Sequence, residues 1–451
     1  MKLFGTDGIR GTAGTFPMTT SIVAKVAKAA GHILRPKGLK NPIVIIGKDT
    51  RLSGYTFEPA LVSGFASVGW NVQLLGPLPT PAIAALTTSM RAQMGVMISA
   101  SHNPYIDNGI KIFDPNGFKI STEQELRIEE LVEILEQGTE DSLIVPPTDL
   151  GRVSRLDGSD GAGGRYIELA KSSFPNDLDL FGMKIVLDCA HGASYRVAPR
   201  VLHELGAEVI EMGVDPDGTN INDQVGATAP EALKERVIKE KADIGIALDG
   251  DADRLMIVND SGEVVDGDQI LATLATFLSE TGRLGGRVVV ATVMSNMGLD
   301  TYLSDLGLSL VRTAVGDKHV TKKMRELGAN LGGEQSGHMI LSDYSTTGDG
   351  LVAGLQVLGL MRRKKKTSSE ATRCFKPLPQ MIRNVRFHGE NPLNDLGIQK
   401  FINDVELALG EKGRVLVRKS GTEPLLRLMV EAEEEELVIK TLNNLESAVT
   451  I

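Results

Sequence analysis

Short apolar runs alternate along the chain with amphipathic stretches of helical period, a rhythm that predicts an α/β architecture. Three runs resemble one another: "IVIIGKDTR" from Ile43, "IVLDCAHGA" from Ile185 and "VVVATVMSN" from Val288. Each is a short apolar strand that ends abruptly in small and polar residues. They are read as equivalent strands of three related α/β domains, and the carboxyl ends of such strands are where open α/β sheets bind ligands. The first domain is expected to span 1–150. It closes with a helix from Glu123 to Gln137, opened by a capping box of Thr122 and Glu125 and stopped by Gly138. "GTEDSLIVPPTDLG" reads as a linker. A second domain is expected over 151–254 and a third over 255–366, followed by a charged hinge, "RRKKKTSSEAT" from Arg362. Over 372–451 the rhythm becomes strand, helix, strand, strand, helix, a small α+β domain. Its last helix sets Val438, Leu442, Leu445 and Val449 on one face, with Glu433–Glu436 at its positive end.

Composition narrows the class. A chain of 451 residues exceeds one ordinary core, and 42% apolar with 24% charged residues suits a soluble globular protein. The apolar stretch Ile270–Leu278 is too short to span a bilayer, and "MKLFGTDGIRG" lacks the apolar segment of a secretory leader. Two distant cysteines, Cys189 and Cys374, suggest neither a disulfide scaffold nor a zinc site, so a reducing cytoplasm is expected. A net charge of −10 and 4% aromatic residues argue against nucleic acid or anionic membrane as partner. Neither G-x-G-x-x-G nor G-x-x-x-x-G-K-[ST] occurs.

Four stretches carry chemistry. In "LDGDADR", Asp249, Asp251 and Asp253 alternate with small residues after the apolar strand "DIGIAL", which in extended backbone puts three carboxylates on one side. The stretch is either an acidic surface loop or a cation site: mutual repulsion calls for a divalent cation, and an all-oxygen set favours Mg²⁺, Mn²⁺ or Ca²⁺ over zinc. An EF-hand would need Gly at Arg254 and Glu at Asp260. In "VMISASHNPYIDNGIKIF", Pro104 ends the strand and small neighbours leave the Ser101 hydroxyl accessible, unless Ser101 simply caps a helix with Ser99 beside it. His102 is ambiguous, and Lys111 points opposite to Ile110 and Ile112, toward solvent or a cleft. "GGEQSGH" brings Glu334 and Ser336 together, either for paired hydroxyls of a sugar or as a polar turn. "RKSGTEP" groups Arg418, Lys419, Ser420 and Thr422 around Gly421, with Arg427 on the next strand. It reads as a phosphate nest or a basic hairpin turn.

In this order, the four stretches resemble the α-D-phosphohexomutase family over essentially the whole chain. "SASHNP" is similar to its phosphoserine loop, "DGDADR" to its metal loop, "GEQSGH" to its sugar loop and "RKSGTEP" to its phosphate loop. "FGTDGIRG" at Phe4, "DGDADR" and "RKSGTEP" most resemble the bacterial branch acting on glucosamine phosphate. Ser99 stands where many relatives have threonine, and Lys419 replaces a proline common in phosphomannomutases.

The resemblance implies three α/β domains with mixed sheets and a C-terminal domain like the TATA-binding protein, around a central cleft. It implies interconversion of glucosamine 6-phosphate and glucosamine 1-phosphate, through a 1,6-bisphosphate, for UDP-N-acetylglucosamine and cell-wall synthesis. Ser101 would carry a phosphate, and one Mg²⁺ would be held by Asp249, Asp251, Asp253 and a Ser101 phosphate oxygen. Glu334 and Ser336 would contact sugar hydroxyls; Arg418, Ser420, Gly421, Thr422 and Arg427 would contact the non-reacting phosphate. Arg10, Lys111, Arg254 and His338 would stabilise charge or move protons, with Lys111 the candidate base if its pKa is depressed. A hexosamine phosphate substrate, a sugar 1,6-bisphosphate activator and a homodimer belong to the same expectation. The alternatives are a phosphomannomutase/phosphoglucomutase, a metal-dependent sugar phosphatase and a non-catalytic sugar-phosphate sensor.

Overall fold

Ile43–Lys48, Lys184–Asp188 and Val288–Thr292, the strands of the three apolar runs, begin a four-stranded core of one connectivity within sheets of seven, five and four strands. The computed structural model of the protein describes residues 2–156, 161–387, 391–419 and 424–449. Each first strand pairs in parallel with the next strand in its domain: Asn71–Pro77, Glu208–Met212 and Ser309–Thr313. On its other edge it pairs in parallel with a third: Met94–Ile98, Ile244–Leu248 and Leu331–Gly333. A fourth strand runs antiparallel to that third: Asp107–Phe113, Leu255–Asn259 and Met339–Leu341. Parallel pairs need a crossover helix, which supplies the alternation seen in the sequence; the antiparallel pair needs only a turn. The turn between third and fourth strands therefore recurs at one place in all three sheets. Those three turns carry Ser101, the aspartates of "DGDADR" and the residues of "GEQSGH".

Every residue of Met94–Ile98 and Ile244–Leu248 is buried, as expected for inner strands covered on both faces. The helix Gly350–Lys364 is buried from Gly350 to Met361 and packs on the helices Ala162–Ser173 and Gly267–Glu280, between the second and third sheets. Such a helix must be apolar all round, and each of its fully buried leucines contributes roughly 1.5–3 kcal/mol. No helix among the described residues is long and apolar enough to cross a membrane.

Several boundaries differ from those expected. The capping box is formed by Ser121 and Gln124, so the helix runs Thr122–Ile134. Val153–Arg155 adds a seventh strand to the first sheet, beyond residue 150. A boundary at Arg254 would cut the antiparallel pair Ile244–Leu248 and Leu255–Asn259. The run from Arg362 ends the buried helix, and the solvent-facing side chains of Arg362 and Arg363 pair with Asp179 and Asp177 of the second domain at 3.1 and 2.8 Å. Exposed pairs of this kind contribute little to stability. The chain crosses to the last domain without regular structure over 373–379.

That last domain follows the expected rhythm: Gln380–Arg386, helix Leu396–Leu409, Gly413–Lys419, Leu425–Ala432 and helix Glu435–Val449. The strand Leu425–Ala432 is central and antiparallel to both others. Val438, Leu442, Leu445 and Val449 pack against Leu426, Leu428 and Val430. The domain docks on the third through Arg414, which bonds Glu431 at 2.7 Å and the carbonyls of Val293 and Ser295. Glu431 is fully buried and also accepts from the Met297 N–H. Arg414→Ala strands that carboxylate, at a cost of about 3–5 kcal/mol. We expect a lower melting temperature and a larger radius of gyration in small-angle scattering; no change in either would show that the clamp does not hold the domains together.

Candidate active site

Ser101 sits in a left-handed backbone conformation, φ +53°, at the first recurrent turn. Its N–H donates to Ser99 Oγ at 2.9 Å, and Ser99 Oγ in turn bonds Asp49 at 2.6 Å. Ser101 is only 1% exposed. The accessible hydroxyl expected from its small neighbours is thus turned away from solvent, because the metal-loop turn of the second domain covers it. Its Oγ donates to Asp249 Oδ2 at 2.7 Å. The neighbouring His102 lies with Nδ1 3.3 Å from that Oγ. Burial, together with Arg254 and Arg10, pushes His102 down to about 4, so it is neutral near pH 7.

Asp249, Asp251 and Asp253 are buried, and one carboxylate oxygen of each lies within 4.8 Å of the others. The turn brings them together by putting Ala252 at φ +57°, with its carbonyl tied to the Gly350 N–H at 3.0 Å. Three ionised carboxylates cannot share a dry site unaided. Burial and the charges of Asp253 and Asp251 push Asp249 up to about 8. Asp251 Oδ1 and Asp253 Oδ1 are buried without a hydrogen-bond partner. Orphaned oxygens on an oxygen-only set are what a hard divalent cation satisfies, so the residues present fit Mg²⁺.

Lys111 points into the cleft and is 1% exposed. Its Nζ donates to Asp251 at 2.8 Å and Asp253 at 3.0 Å, and lies 3.2 Å from Asp7. Burial opposes its charge, but Asp251, Asp253 and Asp7 outweigh that and hold its pKa well above the usual lysine value. Two of those three charges belong to the carboxylates that fit Mg²⁺, and an ion held there would offset much of their pull on the lysine. Arg10 pairs with Asp7, and Asp7 also pairs with Lys119, which reaches Asp317 in the third domain. His338 lies with Nδ1 3.6 Å from Asp253 and accepts the Gly348 N–H on Nε2 at 3.2 Å. Arg254 bridges to His338 in the backbone, and its N–H donates to Asp249 Oδ1 at 3.1 Å. The turns that carry the three aspartates and "GEQSGH" are thus stitched together.

Glu334 and Ser336 do project together, with Ser336 Oγ 3.3 Å from Glu334 Oε2. Glu334 Oε1 accepts the Gly316 N–H at 3.0 Å, while Ser336 is exposed. Between them, Gln335 bonds Gln380 of the last domain at 3.2 Å. Arg418 and Arg427 are directly opposite on adjacent strands. Burial and the Arg427 charge lower the pKa of Arg418, so this like-charged pair favours an anion between or above it. Ser420, Gly421 and Thr422 lie outside the described residues.

The reading of single stretches missed Asp7, Thr80, Lys119 and Asp317. Thr80 donates Oγ1 to Asp251 and its N–H to the Asp251 carbonyl. Asp7 lay within the quoted "FGTDGIRG"; Thr80, Lys119 and Asp317 carry no local signal, since each is an ordinary residue at a helix start or in a turn.

Comparison with known proteins adds a second kind of observation. Models of the phosphoglucomutase/phosphomannomutase α/β/α domains I, II and III match residues 1–138, 165–262 and 266–378, and that of the C-terminal domain matches 383–445. A phosphoglucosamine mutase of Caulobacter vibrioides is 55% identical over 446 residues, covering 99% of this chain and 98% of that protein. One from Gluconacetobacter diazotrophicus is 58% identical over 436 residues, covering 97% and 95%. Among solved structures, a phosphoglucomutase/phosphomannomutase family protein of Burkholderia thailandensis shares the fold. Its TM-score is 0.79 at 24% identity, covering 99% of this chain and 96% of that one.

Proposed function

The chain belongs to the phosphoglucomutase/phosphomannomutase family, also called the α-D-phosphohexomutases, and from that premise we propose that it interconverts glucosamine 6-phosphate and glucosamine 1-phosphate. One observation carries the mechanism: the Ser101 hydroxyl lies 2.7 Å from Asp249 inside a buried trio of carboxylates. A phosphoryl group that must move between two ends of a sugar needs a temporary holder, and a serine oxygen is one.

In the proposed cycle, phospho-Ser101 gives its group to the free hydroxyl of the substrate. The bond from phosphorus to Ser101 Oγ breaks, a bond from phosphorus to the sugar oxygen forms, the sugar hydroxyl proton passes to a base, and Ser101 Oγ takes up a proton to become a hydroxyl again. The resulting 1,6-bisphosphate turns end for end, and its other phosphate returns to Ser101. A free sugar 1,6-bisphosphate is the expected activator, because it recharges the serine. Asp249, Asp251 and Asp253, with an oxygen on Ser101, would hold Mg²⁺, which supplies neutralisation of the phosphoryl oxygens. Lys111 and Arg10 supply positive charge beside the reacting group, and Arg254 lies next to them. His338, linked to Asp253, is the better-placed group for proton transfer. Glu334 and Ser336 suit the sugar hydroxyls. Arg418 and Arg427, with Ser420, Gly421 and Thr422, suit the non-reacting phosphate at either end of the bisphosphate. We further place the protein in the cytoplasm as a homodimer, acting for cell-wall precursor synthesis.

Product identification from glucosamine 6-phosphate tests the reading, with glucose and mannose phosphates alongside. Glucosamine 1-phosphate should form fastest, only with Mg²⁺, and faster with trace bisphosphate. Steady release of inorganic phosphate would favour a phosphatase, and no turnover would favour a sensor.

The trio also gives a pH dependence. Asp249 carries a proton below about 8, and a bound cation must displace it. Mg²⁺ affinity is therefore expected to weaken as pH falls through that value, with roughly one proton released per ion near pH 7. Calorimetric titration in buffers of different ionisation heat checks this; identical heats in all buffers would refute it.

A further inference from the structure

We infer that Arg51 and Asn222 are positioning residues that clamp the backbone of Ser101 for phosphoryl transfer, an inference that rests on the mutase reading above. Ser101 occupies the left-handed region, which a residue with a side chain holds only where its surroundings impose it. Here they impose it through the carbonyl. Ser101 O accepts from Arg51 Nη2 at 2.8 Å and from Asn222 Nδ2 at 2.9 Å. The Asn103 carbonyl, two residues on, accepts from the same two groups at 2.8 and 3.2 Å.

The donor count decides what Arg51 does. A guanidinium has five N–H groups. Arg51 Nε donates to Asp49 at 2.7 Å, Nη2 to the Ser101 and Asn103 carbonyls, and Nη1 to those of Pro104 and Asp107. All five are spent, and the side chain is fully buried. An arginine so close to the serine would ordinarily be read as a phosphate ligand, yet this one has no donor left for an anion. Its role is to fix the loop.

Asn222 works from the other side. It belongs to the second domain, and both of its amide hydrogens serve the serine loop of the first. Its Oδ1 is buried without a partner, so the side chain is oriented by those two donated bonds alone. Gly250 completes the vice: a Cβ there would lie 2.6 Å from Ser101 O and 2.7 Å from Asn222 Nδ2. The serine backbone is thereby registered against the turn that carries Asp249. In-line transfer tolerates little displacement; about 1 Å costs on the order of 10²-fold.

The test uses the full-length protein with Mg²⁺. Ser101 is charged with a sugar 1,6-bisphosphate, and single-turnover transfer to glucosamine 6-phosphate is followed beside steady-state KM. Asn222→Ala should melt within a few degrees of the parent and keep KM within about twofold, while transfer slows roughly tenfold. Arg51→Lys, with three donors at most, should slow transfer roughly 100-fold at similar KM. Should Arg51→Lys fail to fold, Asn222→Ala decides alone. A folded Asn222→Ala protein that transfers as fast as the parent, or whose loss lies entirely in KM, overturns the inference while leaving the mutase reading intact. A parent that accepts no phosphate on Ser101 removes that reading, and the inference with it.

Discussion

Replacing Ser101 with alanine is expected to lower mutase turnover by on the order of 10⁴-fold or more, the largest loss of any single change. The hydroxyl is the only atom proposed to bond phosphorus, and His102 beside it is not placed to substitute. Neutral His102 lies 3.3 Å from Ser101 Oγ, whereas that Oγ is the atom aimed at Asp249. The fold should survive, because alanine fills the same small space and frees an Asp249 that carries a proton near neutrality in any case. The check is product analysis by nuclear magnetic resonance beside intact mass. Parent protein treated with a sugar 1,6-bisphosphate should gain one phosphoryl group and Ser101→Ala none. A variant that still turns over at a tenth of the parent rate would end the relay mechanism.

Asp251→Asn should follow, with a loss on the order of 10³-fold in turnover that added Mg²⁺ only partly restores. A phosphoserine brings roughly −1.5 to −2 charges to a place already holding three carboxylates. Two like charges about 4 Å apart repel by about 4 kcal/mol at an effective dielectric constant near 20, so several such pairs would prevent charging of the serine. A cation held by all three acids reverses the sign. Asp251 also accepts from Lys111 and Thr80, so the amide loosens the lysine as well as the ion. The decisive measurements are Mg²⁺ titration and the rate of Ser101 phosphorylation. Normal Mg²⁺ affinity with full turnover would remove Asp251 from the site.

The two expectations trace to one feature of the architecture. The four-stranded core common to three sheets places the same turn, between its third and fourth strands, at corresponding positions. One turn bears the acceptor, one the acids and one the carboxylate and hydroxyl pair, and contacts between turns assemble them: Ser101 to Asp249, Arg254 to His338, His338 to Asp253. The fourth domain is tied to the third by the Arg414–Glu431 clamp and to the sugar turn by Gln335–Gln380.

Local pattern along the chain was enough to read the chemistry and the kind of fold. Strand, helix and turn leave periods and breaks that need no partner to be seen, so the α/β repeat, the final α+β rhythm and the buried face of the last helix were legible. The aspartates were legible because three carboxylates within five residues, at the end of an apolar strand, point to a cation. Tertiary structure alone decided the rest, because long-range charge and hydrogen bonding leave no local trace. Lys111 could face solvent or cleft until the packed chain turned it inward, among Asp7, Asp251 and Asp253. Arg362 and Arg363 stay solvent-facing, and only the packed chain shows that Asp179 and Asp177 meet them across a domain boundary. Arg51 lies 50 residues from the serine it clamps and Asn222 lies 121, distances that only a packed chain closes.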